Sequence, residues 1–329
     1  MKTGTPRAGR RALDRAGATL AATSPALAQV TPDGESHANG LLRRKAARET
    51  SSSSALPPDS LIQLSRALKK QWQCYRHDLQ RCRKRFSERS VHQLRVAARR
   101  LLSTVELLER FLSRSQVAEV SACLKQHLDC FDDLRDTQVQ LPVVKQLRKK
   151  FADADRFHEW LQKREVRFAK QSRKRVQQTK TKRLARLVTN CRREAESRKT
   201  SAPGKLVLGV VERAFRNVKQ LRARIDPANT QTIHRTRVAF KKFRYMVELL
   251  SERLRPASRK RLRLMHGYQT QMGDIQDAEV LLLTFDKFMR KKKMDPGFAR
   301  RFRAELLRRR KELVRLYLDA ADQLDTFWP

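Results

Sequence analysis

The sequence predicts an all-α protein built from two similar helical bundles related by an approximate two-fold axis. Three observations carry this. From Leu61 onward apolar residues recur at helical spacing, and no segment alternates apolar and polar for long. Glycine is absent between residues 56 and 200. One basic segment is written twice, as SVHQLRVAARRLLSTVELLERF at 90–111 and TIHRTRVAFKKFRYMVELLSER at 232–253. His92, Arg95, Arg99 and Arg100 match His234, Arg237, Lys241 and Lys242 at a constant offset of 142 residues.

Two shorter pieces repeat in the same order. Asp133-Leu134-Arg135-Asp136-Thr137-Gln138-Val139 matches Asp274-Ile275-Gln276-Asp277-Ala278-Glu279-Val280 at an offset of 141, so one residue is gained or lost on the way. Lys145, Arg148, Lys149 and Lys150 match Lys287, Arg290, Lys291 and Lys292, again at 142.

The elements follow in order. Residues 1–55 are rich in Gly, Ala, Ser, Thr and Arg, and Ser51-Ser52-Ser53-Ser54 stands near their end, which predicts a flexible leader. Arg10-Arg11 before the weakly apolar run Ala16 to Val30, with Ala26-Leu27-Ala28, has the outline of an export signal. Asp14 and Arg15 interrupt it and leucine is scarce, so a leader without export is expected. Pro57-Pro58-Asp59 marks the start of order. Helices are expected near 60–86, 90–112, 115–131, 135–151, 155–175 and 178–198, with Pro142 kinking or restarting the fourth. Ser201-Ala202-Pro203-Gly204 breaks the chain into a first repeat, 56–200, and a second, 201–329. Helices then follow near 205–224, 229–253, 257–272, 275–292 and 296–325.

The 329 residues carry a formal net charge of +41. A charge of that size repels itself unless anions neutralise it, so the expected partner is nucleic acid, inorganic polyphosphate or an anionic membrane surface. Aromatic residues are only 6% of the chain, which argues against a reader of single strands by base stacking. No stretch is long and apolar enough to span a bilayer. Cys74, Cys82, Cys123, Cys130 and Cys191 form no C-x-x-C pair or zinc-like cluster and are expected to be buried, reduced thiols of a cytoplasmic protein.

On a wheel of about 100° per residue, Leu94, Ala98, Leu101, Val105 and Leu108 share one stripe, while His92, Arg95 and Arg99 fall on the other side. In the second copy Phe240, Phe243, Val247 and Leu250 form the stripe, and His234, Arg237, Lys241 and Arg244 lie away from it. One such face is ordinarily a solvated surface. Two with the same residue classes at the same spacing suggest a site. Arg contacts phosphate oxygens in pairs and Lys supplies point charges, so two facing lines suit a linear chain of phosphates.

Other chemistry finds little support. There is no phosphate-binding glycine loop, dinucleotide fingerprint or nucleophile elbow. No two histidines stand four apart on one helix, and no metal or cofactor is expected. Asp133/Asp136 and Asp274/Asp277 are paired carboxylates, read here as helix caps: Gly273 ends one helix in a left-handed conformation and Asp274 caps the next, with Asp277 at its third position. Asp132 stands where Gly273 does, so the first turn is expected to differ.

The H-x-x-R-V-x-x-[RK]-[RK] helix, its copy H-R-T-R-V-A-F-K-K-F-R-Y-M-V-E and the G-D-I-Q-D-A-E-V turn together resemble the CHAD (conserved histidine α-helical domain) family over roughly residues 56–329. The resemblance implies two tandem four-helix-bundle-like repeats with pseudo-two-fold symmetry and a basic cavity or groove between them. It also implies non-catalytic binding of inorganic polyphosphate, in bacteria at polyphosphate granules. Carried over position by position, the binding residues are His92, Arg95, Arg99 and Arg100 with His234, Arg237, Lys241, Lys242, Arg244 and Tyr245. Lys145, Arg148, Lys287 and Arg290 are secondary basic candidates. Leu102 stands where the second copy has Arg244, so the first half-site is expected to be the weaker. No E-x-E-x-K triphosphatase signature accompanies the motifs.

Two other readings are distinguishable. Nucleic acid is the second choice of partner, and it predicts a long basic stripe, such as the Lys163–Lys199 region, in place of a cavity. A phosphatase requires Asp133, Asp136, Asp274 or Asp277 to face the basic surface.

Overall fold

The computed structural model describes residues 56, 59–198, 202–253, 257–292 and 294–328, all within one compact unit, Ser53–Pro329. The leader expected over 1–55 lies outside the described residues. The first repeat contributes α1 (Ser60–Lys84), α2 (Glu88–Leu107), α3 (Arg114–Asp129), α4 (Asp132–Leu147), α5 (Ala154–Gln178) and α6 (Lys182–Ser197). The second contributes α7 (Pro203–Arg222), α8 (Thr230–Arg253), α9 (Arg259–Lys291), α10 (Pro296–Asp319) and a 3-10 turn, Ala321–Thr326. No strand occurs among the described residues.

Local chemistry sets the helix starts. Ser87 caps α2 by a capping box: its Oγ accepts from the Ser90 backbone at 3.3 Å, and Ser90 Oγ accepts from the Ser87 backbone at 2.9 Å. Ser113 and Ser258 cap α3 and α9 in the same sense. Pro203 and Pro296 stand in the first turns of α7 and α10, where proline's missing N–H has no helical partner to lose.

Several expectations are corrected. The helices predicted over 257–272 and 275–292 are one helix, α9. Gly273 does not adopt the left-handed conformation; a Cβ built on it would lie 3.5 Å from Arg237 Nε. The glycine gives room for a guanidinium and does not end the helix, so Asp274 and Asp277 are interior residues and cap nothing. In the first repeat the chain does break, at Cys130–Phe131, and Asp132 and Asp133 occupy the first turn of α4, where the helix dipole favours carboxylates. Pro142 neither ends nor restarts α4, which runs through it with Leu141 and Val143 packed on neighbouring core residues. The cysteines are only partly core: Cys82 and Cys191 are buried, but Cys74 is exposed and Cys123 and Cys130 are half-buried.

Two tandem bundle-like repeats are related by pseudo-two-fold symmetry. α1 and α7 precede the repeated helices α2 and α8, and α3 with α4 corresponds to α9. The equivalent pairs α2/α8, α4/α9 and α1/α7 pack on each other across the axis. Both hydrophobic cores draw on both halves. The larger joins Leu101 and Val105 of α2 to Phe240, Phe243 and Met246 of α8. The smaller joins the α4–α5 and α9–α10 hairpins through aromatic contacts, with Phe157–Phe285 centroids 5.3 Å apart and Phe157–Phe288 5.0 Å. Between the two cores the walls of α2, α4, α8 and α9 leave a basic cleft.

Candidate anion-binding cleft

The cleft has a volume of about 700 Å³. Spacings of three and four residues put His92, Arg95 and Arg99 on one face of α2 and His234, Arg237 and Lys241 on one face of α8. The two faces meet across this cavity, and Arg100, Arg135, Arg244, Tyr245 and His266 also line it. These side chains are more enclosed than a solvated face would be, because α4 and α9 cover helices whose other sides are already in the core. Arg95 and Arg244 are each only 7% exposed, and Arg99, Arg237 and Lys241 are half-buried. His92 is exposed at the mouth.

Burial dominates the electrostatics, and crowding of like charge adds to it. Burial pushes the Lys241 ammonium down to about 6, and the guanidinium groups of Arg99, Arg237, Arg95 and Arg135 push the same way. Arg95 is lowered to about 10 by burial and by Arg99. Burial lowers Arg99 and Arg237, and with Arg237 it lowers His234. Arg95 Nη1, Arg237 Nε and His234 Nδ1 are buried with no hydrogen-bond partner in the protein. Arg95 Nη1 does lie 3.2 Å from Asp132 Oδ1, an ion pair without hydrogen-bond alignment. The cleft therefore holds buried polar groups that the protein's own partners do not satisfy, and an anion would relieve them.

Carboxylates stand among these cations. Asp132, Asp136, Asp274 and Asp277 line the cleft, and Asp133 does not. Arg135, which the sequence reading passed over although it sits inside the repeated D-L-R-D piece, donates to Asp277 at 3.3 Å and lies 4.0 Å from Asp136. Burial, followed by the Asp277 charge, raises Asp136 to about 6. Burial and Asp277 raise Asp274 as well. Among the described residues, no three His, Cys, Asp or Glu side chains converge as a metal site would require.

Some sequence candidates fall elsewhere. Lys242, one position and about 100° round the helix from Lys241, points away and pairs with Glu106 at 3.2 Å. Lys145, Lys287 and Arg290 are exposed outside the cleft, and Arg148 pairs with Asp155. They sit beyond the lining stretches of α4 and α9, which end at Gln138 and Val280. Arg100 is drawn to Glu252 at 3.3 Å. Arg244 is bound within the protein: its Nε donates to Gln269 Oε1 at 2.8 Å, it pairs with Glu248, and it lies 4.5 Å from the Tyr245 ring centroid. Tyr245 in turn favours the charged form of Arg99.

Comparison with known proteins places this geometry among relatives. A family model described as the CHAD domain matches residues 66–286, from α1 into α9, and so includes both copies of the repeated helix. The fold is similar to that of PptA from Streptomyces chartreusis, with 14% identity, TM-score 0.63, and coverage of 81% of this chain and 99% of that one. It is also similar to the CHAD domain from the plant Ricinus communis, with 17% identity, TM-score 0.61, and coverage of 82% and 95%. At these identities the likeness is one of fold. No curated protein sequence matches the chain.

Proposed function

Taking as premise that the chain belongs to the CHAD domain family, we propose that its cleft holds a segment of inorganic polyphosphate without altering it chemically. The family is associated with polyphosphate, as a binding domain. One observation supports the cleft as the place: two copies of the same basic helix face, α2 and α8, meet across one cavity. A polyphosphate chain is thin, and each phosphate offers oxygens to the crowded guanidinium groups. The proposed contacts are His92, Arg95 and Arg99 from the repeat at 56–200, and His234, Arg237 and Lys241 from the repeat at 201–329. Arg100, Arg244 and Tyr245 shape and orient the walls. Lys242 and the four secondary cations stand outside this set.

The carboxylates take the part of counter-charges in this reading. Asp277 holds Arg135 and Asp132 holds Arg95, which limits the repulsion that would otherwise open the empty cleft. A phosphatase reading also needs carboxylates beside the phosphate, and Asp136, Asp274 and Asp277 meet that geometric condition. Incubation with polyphosphate, followed by assay for released phosphate and chain shortening, separates the two; no release is expected. In the cell, binding of this kind would place the protein in the cytoplasm at polyphosphate granules.

The direct test is titration of size-defined polyphosphate at near-physiological salt, with duplex DNA of matched phosphate number as competitor. The duplex should leave polyphosphate bound. Displacement at equal phosphate concentration would show a general anion sink and defeat the reading.

A further inference from the structure

The cleft uses only part of the chain's positive charge. On α5, Lys163, Arg167, Lys170 and Lys174 follow one another at four, three and four residues. At about 100° and 1.5 Å per residue they fall in a sector of about 60° over about 17 Å. All four are exposed, and none pairs with a carboxylate among the described residues; the exposed Arg156, Arg173 and Arg175 are likewise unpaired. Glu165, the acid inside this stretch, is turned to Gln138, which donates to it at 3.2 Å. The opposite face is anchored by buried Phe157, Leu161, Phe168 and Val176.

The matching helix of the second repeat pairs part of its charge with carboxylates. On α10, Arg303 pairs with Asp286, Arg308 with Glu305, Arg310 with Glu279 and Arg315 with Glu312. Like charges three and four residues apart oppose helix formation. α5 keeps that arrangement on its exposed side, where only Glu159, four residues before Lys163, offers an acid and forms no ion pair among the described residues. An external polyanion would relieve it.

We propose that the outer face of α5 is a second polyanion-binding surface, whose ligand is the phosphate backbone of double-stranded nucleic acid. The shape favours this partner. The cleft is concave and admits a thin chain, whereas the basic residues of α5 lie on the exposed side of a helix. A duplex is too wide for the cleft, but its major groove, about 12 Å across, admits an α-helix between two rows of phosphates. The two surfaces differ in curvature and share no residue, so one chain can hold polyphosphate and duplex together. The contacts are to phosphate and carry no base preference.

The test compares the full chain with a Lys163→Gln/Arg167→Gln/Lys170→Gln/Lys174→Gln variant. All four positions are exposed, so circular dichroism should be unchanged. Binding of a 20-base-pair DNA duplex is measured across salt concentration, and binding of size-defined polyphosphate alongside it. Duplex affinity should fall at least about tenfold and its salt slope by about 3.6, as expected for the loss of four phosphate contacts. Polyphosphate affinity should stay within about twofold. Unchanged duplex affinity and slope would overturn the proposal. So would an equal loss for both ligands, which would make α5 an extension of the polyphosphate track. If the variant loses duplex while neither protein binds polyphosphate, the cleft reading fails and this one stands.

Discussion

Arg135 of α4 reaches across the pseudo-two-fold axis and donates to Asp277 of α9 at 3.3 Å. The first repeat supplies the cation and the second the carboxylate, inside a cleft whose other guanidinium and ammonium groups come from α2 and α8. The link is asymmetric, because the residue matching Arg135 is Gln276. It ties the halves together and keeps one guanidinium from the cleft's ligand. Asp277→Asn should free Arg135 and remove a repelling charge, so polyphosphate affinity should rise several-fold by calorimetric titration. The pair is partly exposed, so the loss of stability should be no more than about 1 kcal/mol.

Proton linkage gives a second prediction. Lys241 titrates at about 6 in the folded protein against an ordinary value of 10.5. A cation with a depressed folded pKa binds fewer protons folded than unfolded, so its penalty is full below about 6 and is relieved as pH rises towards about 10.5. An anion beside Lys241 favours the protonated form. Binding near pH 7.5 should therefore take up close to one proton, and affinity should rise as pH falls from about 8 to about 6. Titrations in buffers of different ionisation enthalpy measure the uptake, most of which Lys241→Gln should remove. Asp136, raised to about 6, works in the same direction: protonating it removes a negative charge from the cleft.

Gly273 separates two accounts of the same residue. In a left-handed turn, Gly273→Ala would be strained. In the middle of α9, with Arg237 Nε 3.5 Å from the added Cβ, alanine fits and should stabilise the helix by about 0.5–1 kcal/mol. Gly273→Leu should instead push the Arg237 guanidinium aside and weaken polyphosphate binding. Thermal melts and binding curves of the two variants read out each effect.

The contrast shows where sequence reasoning succeeds and where it stops. The faces of α2 and α8 were legible because the same residue classes recur at helical spacing, and local spacing alone fixes which side of a helix a residue takes. Gly273 was misread because glycine marks both helix ends and close approaches, and only the arrival of Arg237 from α8 distinguishes them. The burial of Arg95 and Arg244 depends on cover from α4 and α9. So does the role of Arg135, whose partner lies 142 residues away. The smaller aromatic core, shared between α4–α5 and α9–α10, leaves no local signature because each hairpin supplies only half of it.

The start of the second repeat offers a stability test. A Cβ at Gly204 would fall 2.6 Å from Leu56 Cβ and 3.0 Å from its carbonyl oxygen. Gly204→Ala must move the segment leading into α1 or the first turn of α7. It should cost about 1–3 kcal/mol, visible as a lowered Tm, with binding affinity unchanged in the folded fraction.

The central claim is that the paired faces of α2 and α8 form one polyphosphate site. Its most direct test is calorimetric titration of size-defined polyphosphate into wild type and Arg95→Glu/Arg237→Glu, with circular dichroism to verify folding. Arg99→Gln/Lys241→Gln serves as a milder variant should charge reversal at the buried Arg95 prevent folding. The account predicts that binding is abolished in the first and at least tenfold weaker in the second, since four charge-assisted contacts at most survive. Wild-type affinity in a folded variant would contradict it.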